Sequence, residues 1–148
     1  MIGGVDQRDS PAGRVISVSA VVLTRPDGAV VTVRKRGTSC FMHPGGKPEP
    51  GESAAEAALR EVGEEIGLRL APEVLEPLGH VRTAAANEPG FTLLADVFLA
   101  PCAVDPQPAA EIEELRWIDP RQLSAEEQRD PELAPLLYDC VRMWPHTA

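Results

Sequence analysis

No stretch of this sequence approaches the roughly 20 apolar residues that a membrane-spanning helix requires. Its first residues, MIGGVDQRDSPAGR, lack the basic start and apolar block of a signal peptide. Residues 1–13 are therefore expected to be a disordered lead-in, and 14–148 a single domain. Cysteine is sparse: Cys40, Cys102 and Cys140 are isolated, odd in number and form no CxxC pair. That pattern argues against a disulfide framework or a zinc site, and a reducing, cytoplasmic setting is expected. Basic residues are outnumbered, 14 Lys and Arg against 23 Asp and Glu, for a net charge of −9. Such a balance disfavours nucleic acid or an anionic membrane as the main partner. Repeats and low-complexity tracts are also missing.

What remains is the composition of a globular chain, 43% hydrophobic and 25% charged. The β-branched run VISVSAVVLT (Val15–Thr24) predicts a central strand. RPDG (Arg25–Gly28) is turn chemistry, and AVVTVRKR (Ala29–Arg36) alternates into a second strand, so the two form a hairpin. Gly37–Glu52 is a loop rich in Gly and Pro. Further strands are expected in VLEPLGHVRTA, in Phe91–Ala100 and in Glu114–Asp119. Leu133, Leu136, Leu137, Cys140, Val141 and Trp144 recur at helical spacing, which predicts a C-terminal amphipathic helix over Pro131–Trp144. Tyr138 and Trp144 are assigned to its core side. The order of elements fits an α/β domain with helices packed on a mixed sheet.

The most informative stretch is HPGGKPEPGESAAEAALREVGEEIGLRL, His43–Leu70. Ser53 and Glu56 form a capping box, so a helix starts at about Ala54, and Gly67 stops it. At about 100° per residue, Ala55, Ala58, Leu59, Val62 and Ile66 share the face that packs on the sheet. Glu61, Glu64 and Glu65 gather beside it near the C-terminus. There they repel one another and meet the negative end of the helix dipole. Each effect is at most about 1 kcal/mol, but all share one sign. A solvated acidic face would more naturally carry Lys or Arg at this end. Local rules broken without compensation mark functional sites. Divalent cations reverse the sign, since hard Mg²⁺ takes carboxylate oxygens and bridges to phosphates. Arg60, one turn from both Glu56 and Glu64, is placed to hold the cluster's geometry.

Gly46-x5-Glu52-x7-Arg60-Glu61-Val62-x-Glu64-Glu65-x-Gly67-Leu68 resembles the Nudix box without a substitution. The flanking hairpin, PGGK at the entry and the later E…W segment extend the resemblance over Val15–Trp117. It implies an α/β/α sandwich around a central mixed β-sheet. It implies hydrolysis of a pyrophosphate bond in a nucleoside diphosphate linked to a group X, with Mg²⁺ or Mn²⁺. By the same resemblance Glu61, Glu64 and Glu65 are the metal carboxylates, the Gly45 carbonyl a main-chain ligand, Arg60 the orienting arginine and Glu52 a supporting residue. Lys47 is placed to meet a phosphate.

The general base is a box glutamate or a carboxylate from AAEIEELRW, with Glu111 the first candidate there and Glu114 the second. Strand alternation sends Arg34 and Arg36 to one face, making them candidates for gripping phosphates or base. His43 and Asn87 are further candidates for substrate contact, with His80, Arg82 and Glu88 weaker ones. The proline and tyrosine that mark ADP-ribose and diadenosine polyphosphate hydrolases are replaced by Ala84–Ala86, and a coenzyme A signature is not evident. What is left resembles the MutT-like group, which cleaves nucleoside triphosphates, oxidised ones included, to a monophosphate and pyrophosphate. ADP-ribose, nucleotide sugars and dinucleoside polyphosphates are the alternatives, and a non-catalytic nucleotide-sensing domain is the alternative of another class. A Nudix-fold isomerase would want a catalytic cysteine motif, which neither Cys40 nor Cys102 shows. The expected partner is a small nucleotide, not nucleic acid or membrane, and the resemblance leaves a homodimer open.

Overall fold

A computed structural model of the chain describes residues 14–86, 88–123 and 129–144. The expected lead-in, 1–13, and Asn87 lie outside them. The described residues form β1 (Arg14–Thr24), β2 (Val30–Lys35), β3 (Gly45–Gly46), α1 (Ala54–Ile66), β4 (Glu76–Ala84), β5 (Phe91–Pro101), β6 (Ile112–Ile118) and α2 (Pro135–Cys140), with short 3-10 turns between and after them. The sheet order is β4-β5-β1-β2-β6, with β3 paired to β1 off that path. β1 and β5 run parallel over their whole length and the other pairs are antiparallel, so the sheet is mixed.

β1 is apolar on both sides because both sides are covered. Ala20 and Val22 point into one core with Val97, Phe41, Leu137, Tyr138 and Trp144. Val21 and Leu23 point into the other with Val31, Val33, Val62, Ile66 and Phe98. α1 covers one face and the C-terminal segment covers the other, which is the expected α/β/α arrangement.

Two local expectations are revised. β1 and β2 are joined by a turn, but they pair only where Thr24 stands opposite Val30. Beyond it β1 pairs instead with Gly45–Gly46, and the Val21 N–H donates to Pro44 O (2.9 Å). Part of the expected Gly- and Pro-rich loop is therefore in the sheet. The C-terminal helix is also shorter than its apolar spacing implied. Phe41 bridges Leu133, and the Ala134 N–H donates to Phe41 O (2.9 Å), so the helix begins only at Pro135. Its expected core residues are buried all the same.

Candidate active site

α1 begins where the capping box predicts. Ser53 accepts from the Glu56 N–H, Glu56 accepts from the Ser53 N–H, and Gly67 closes the helix at φ 73°. Ala57, Ala58, Val62 and Ile66 are buried, whereas Leu59 is only half-buried. The burial stripe is thus turned from the expected one and takes in Glu65, which is 2% exposed.

Arg60 organises the acids. Its Nε and Nη2 donate to the two oxygens of Glu52 at 2.8 and 2.9 Å. Nη2 also donates to Lys47 O, and Nη1 reaches Glu61 Oε2 and Glu64 Oε1, both at 3.2 Å. The Arg60 guanidinium pulls Glu52 down to about 2, and Glu52 in turn holds Arg60 above its usual range. Burial raises the Glu61 pKa, and the Arg60 guanidinium pulls against it without cancelling it.

Glu65 is the costliest group. Its Oε1 accepts the Gly45 N–H at 3.2 Å, while Oε2 is buried with no hydrogen-bond partner among the described residues. Burial pushes its carboxyl up to about 8, against the pull of the Gly45 N–H. The charges of Glu61 and Glu111 act in the same direction as burial, and Lys35 acts against it.

Two glycines let the backbone approach this cluster. A Cβ on Gly46 would lie 2.3 Å from Glu61 Oε2, so that carboxylate rests directly on the main chain. A Cβ on Gly45 would lie 1.9 Å from Ser19 O, which only glycine permits in β3.

Among the described residues no three His, Cys, Asp or Glu side chains form a ready metal cage. The Arg60 guanidinium is the cation that bridges Glu61 and Glu64 here. The donor set nevertheless fits Mg²⁺ or Mn²⁺. It is rich in hard carboxylate oxygen, and it holds a buried oxygen, Glu65 Oε2, that a cation would satisfy.

Beside the acids lies a cleft of about 510 Å³. One part is lined by Lys35, Gly45, Gly46, Lys47, Arg60 and Glu61. Apolar Ile16, Val18, Leu93, Leu136 and Ala84–Ala86 line it too, together with Glu88 and His43. His43 is 3% exposed, and neither ring nitrogen has a hydrogen-bond partner among the described residues. Burial pushes its pKa down to about 3, so the ring is neutral, and the Trp144 ring meets it edge-on at 6.2 Å.

The other candidates separate. Arg34 is not among the cleft-lining residues; it pairs with Glu114 (3.1 Å), donates to Thr38 O and lies over Phe41. Arg36 is exposed and also outside that lining. His80 is exposed and paired with Asp96, and Arg82 is exposed. Lys35, between the two arginines, is the β2 cation that lines the cleft. Alternation supplies the reason: Val31 and Val33 face α1, and Lys35 follows them.

Glu111 is carried to the acids by a clamped loop. The Gln107 and Ala109 N–H groups donate to the last carbonyls of α1, Ile66 O (3.1 Å) and Glu65 O (2.9 Å). Ala110 then takes a left-handed φ of 52°, and Glu111 O accepts the Arg36 N–H at 2.8 Å. The Glu111 carboxylate lies 3.3 Å from Lys35 Nζ.

Comparison with known proteins agrees with this arrangement. The family model described as NUDIX domain matches residues 13–140. An uncharacterized Nudix hydrolase of Pseudomonas aeruginosa is 30% identical over 165 residues, covering 97% of this chain and 92% of its own length. Nudix hydrolase 3 of Caenorhabditis elegans is 32% identical over 95 residues, covering 60% of this chain but only 38% of that longer protein. A crystal structure of a MutT NUDIX hydrolase from Burkholderia pseudomallei superposes with a TM-score of 0.69 over 88% of this chain and 98% of that one, at 21% identity, a likeness of fold. With the domain match running from the start of β1 to the end of α2 and the box acids gathered on α1, the chain belongs to the Nudix hydrolase family, whose members cleave pyrophosphate linkages in small nucleotide substrates.

Proposed function

We propose that residues 14–148 act as one catalytic domain, in the cytoplasm, that hydrolyses a nucleoside triphosphate or oxidised nucleoside triphosphate to the monophosphate and pyrophosphate. The observation that carries the reading is the joining of two unlike surfaces in one cleft. Acids and cations suited to a metal-bound pyrophosphate adjoin an aliphatic wall suited to a base. ADP-ribose, nucleotide sugars and dinucleoside polyphosphates share the phosphate chemistry and belong in the same test.

Glu61, Glu64 and Glu65, with the Gly45 carbonyl, would hold Mg²⁺ or Mn²⁺. When bound, the metal supplies neutralisation of the pyrophosphate charge and activation of the attacking water. Arg60 keeps Glu61 and Glu64 in place, and Glu52 keeps Arg60 in place. Water attacks a phosphorus, the bond to the leaving phosphate oxygen breaks, and a carboxylate takes the water's proton. Glu111, delivered by the clamped loop, is the first candidate for that base, followed by a box glutamate and then by Glu114, which is tied to Arg34. Lys47 meets the phosphates.

The test is a screen of nucleoside di- and triphosphates, ADP-ribose, nucleotide sugars and dinucleoside polyphosphates with Mg²⁺ or Mn²⁺, with products identified by mass. Monophosphate and pyrophosphate should appear from a triphosphate, stop with EDTA, and fall about 10²–10⁴-fold in Glu64→Gln. Metal-independent turnover, or wild-type rates in Glu64→Gln, would overturn the reading.

A further inference from the structure

Lys35 is the cleft residue that alternation alone did not single out, and it sits at an irregularity. Arg34 pairs with Glu114, but Lys35 pairs with Ile112, so β6 carries one extra residue at this point. The shift leaves Lys35 at the end of β2 next to the clamped loop. Its ammonium lies 3.3 Å from Glu111, while its charge also reaches Glu61 and Glu65. One flexible cation is therefore paired with Glu111 and at the same time lines the space where a pyrophosphate would lie.

We infer that Lys35 exchanges partners during binding: it pairs with Glu111 in the free protein and with a substrate phosphate in the complex. The inference rests on the pyrophosphate reading above. A lysine suits the task because its ammonium is a rotatable point charge on a flexible stem, where arginine's rigid fork fixes one geometry. The phosphate offers more negative charge than a single exposed carboxylate, so the ammonium moves to it. The Glu111 carboxylate is then released beside the phosphates, free to accept a proton from water. No bond is made or broken in the exchange. Lys35 is thus both a phosphate contact and the positioning residue for Glu111.

The exchange gives the two members of the pair opposite effects. Binding of inorganic pyrophosphate in the presence of Mg²⁺ is measured by calorimetry on wild type, Lys35→Met, Lys35→Arg, Glu111→Gln and Glu88→Gln. Glu88 is a carboxylate that lines the cleft, whereas Glu111 adjoins it through its pair with Lys35. Lys35→Met should weaken binding roughly tenfold. Lys35→Arg should restore most of it. Glu111→Gln, which removes the competitor for Lys35, should tighten binding, and Glu88→Gln should change it much less. In turnover, Lys35→Met should act mainly on KM and Glu111→Gln mainly on kcat.

Shifts of the same sign in Lys35→Met and Glu111→Gln would show a static structural pair and overturn the exchange. Equal tightening in Glu88→Gln would show a general charge effect and overturn it too, as would no shift at all. These results concern binding. A wild type that turns over no nucleotide would instead overturn the hydrolase reading, whatever the pyrophosphate affinities.

Discussion

The Arg60 guanidinium grips both carboxylate oxygens of Glu52 from eight residues away, at 2.8 and 2.9 Å, and ties the loop before α1 to the middle of the helix. Glu52 is held at about 2 in the fold against an ordinary 4.5. A carboxyl with a depressed folded value stabilises fully above its unfolded value and loses that contribution as pH falls through the folded one. The loss therefore runs from about pH 4.5 down to about pH 2. Glu52→Gln should be less stable than wild type at neutral pH and converge with it across that window, read by denaturant unfolding at a series of pH values. Its kcat should also fall, because Arg60 loses the anchor that aims it at Glu61 and Glu64.

The two glycines of β3 should fail differently. In Gly46→Ala the new methyl meets the end of the Glu61 side chain, which can swing away. Stability should change by no more than about 1 kcal/mol. The displaced carboxylate should lower kcat by about 10²-fold. In Gly45→Ala the methyl meets the Ser19 carbonyl, which cannot move without breaking β3 from β1. That variant should lose about 3 kcal/mol of stability. Paired unfolding and rate measurements separate the two.

Glu65 costs the metal-free fold stability as it ionises. Its folded value of about 8 lies above the ordinary 4.5, so its contribution is greatest below 4.5 and is lost as pH rises through 8. In EDTA at about pH 9, Glu65→Gln should therefore melt above wild type. Millimolar Mg²⁺ should raise the wild-type Tm, since the ion binds only the folded cluster. The variant should lose most of that rise and nearly all activity. A melting series with and without Mg²⁺ reads both.

His43 buries two unpartnered ring nitrogens, a cost with no compensating hydrogen bond among the described residues. His43→Phe should keep the contact with Trp144 and melt at or above wild type. His43→Ala should leave a hole and lose several degrees of Tm, at roughly 2–4 °C per kcal/mol for a chain of this size. Calorimetry on the two variants checks the order.

Much of this was legible in the residues themselves. The capping box and Gly67 set the ends of α1, and three acids at the wrong end of a helix dipole marked the cluster. The β-branched run of β1 announced a central strand. What was hidden depended on partners distant in sequence. Periodicity placed Glu65 beside the packed face, but in the fold it is buried, with Gly45 donating to its carboxylate and the Ala109 N–H to its carbonyl. Alternation grouped Arg34 with Arg36 and set Lys35 opposite, yet nothing local says which face meets the cleft. That is decided by Val31 and Val33 packing on α1 and by Phe41 drawing Arg34 to the other side. The short C-terminal helix likewise follows from a bridge between Phe41 and Leu133, which lie far apart in the sequence.

The loop from Cys102 to Glu111 has two mechanically different halves. Ala103, Val104 and Asp105 are exposed, and their side chains are free to vary in bulk and polarity. From Gln107 onward the backbone is fastened at both ends, to the carbonyls of α1 on one side and to Arg36 on the other. Added length near Val104 can bulge outward and leave Glu111 where it is. One residue added between Ala109 and Glu111 has no such slack and would carry the carboxylate away from Lys35. The same loop thus offers a permissive site for insertions and, a few residues later, a gauge that fixes the reach of its acid.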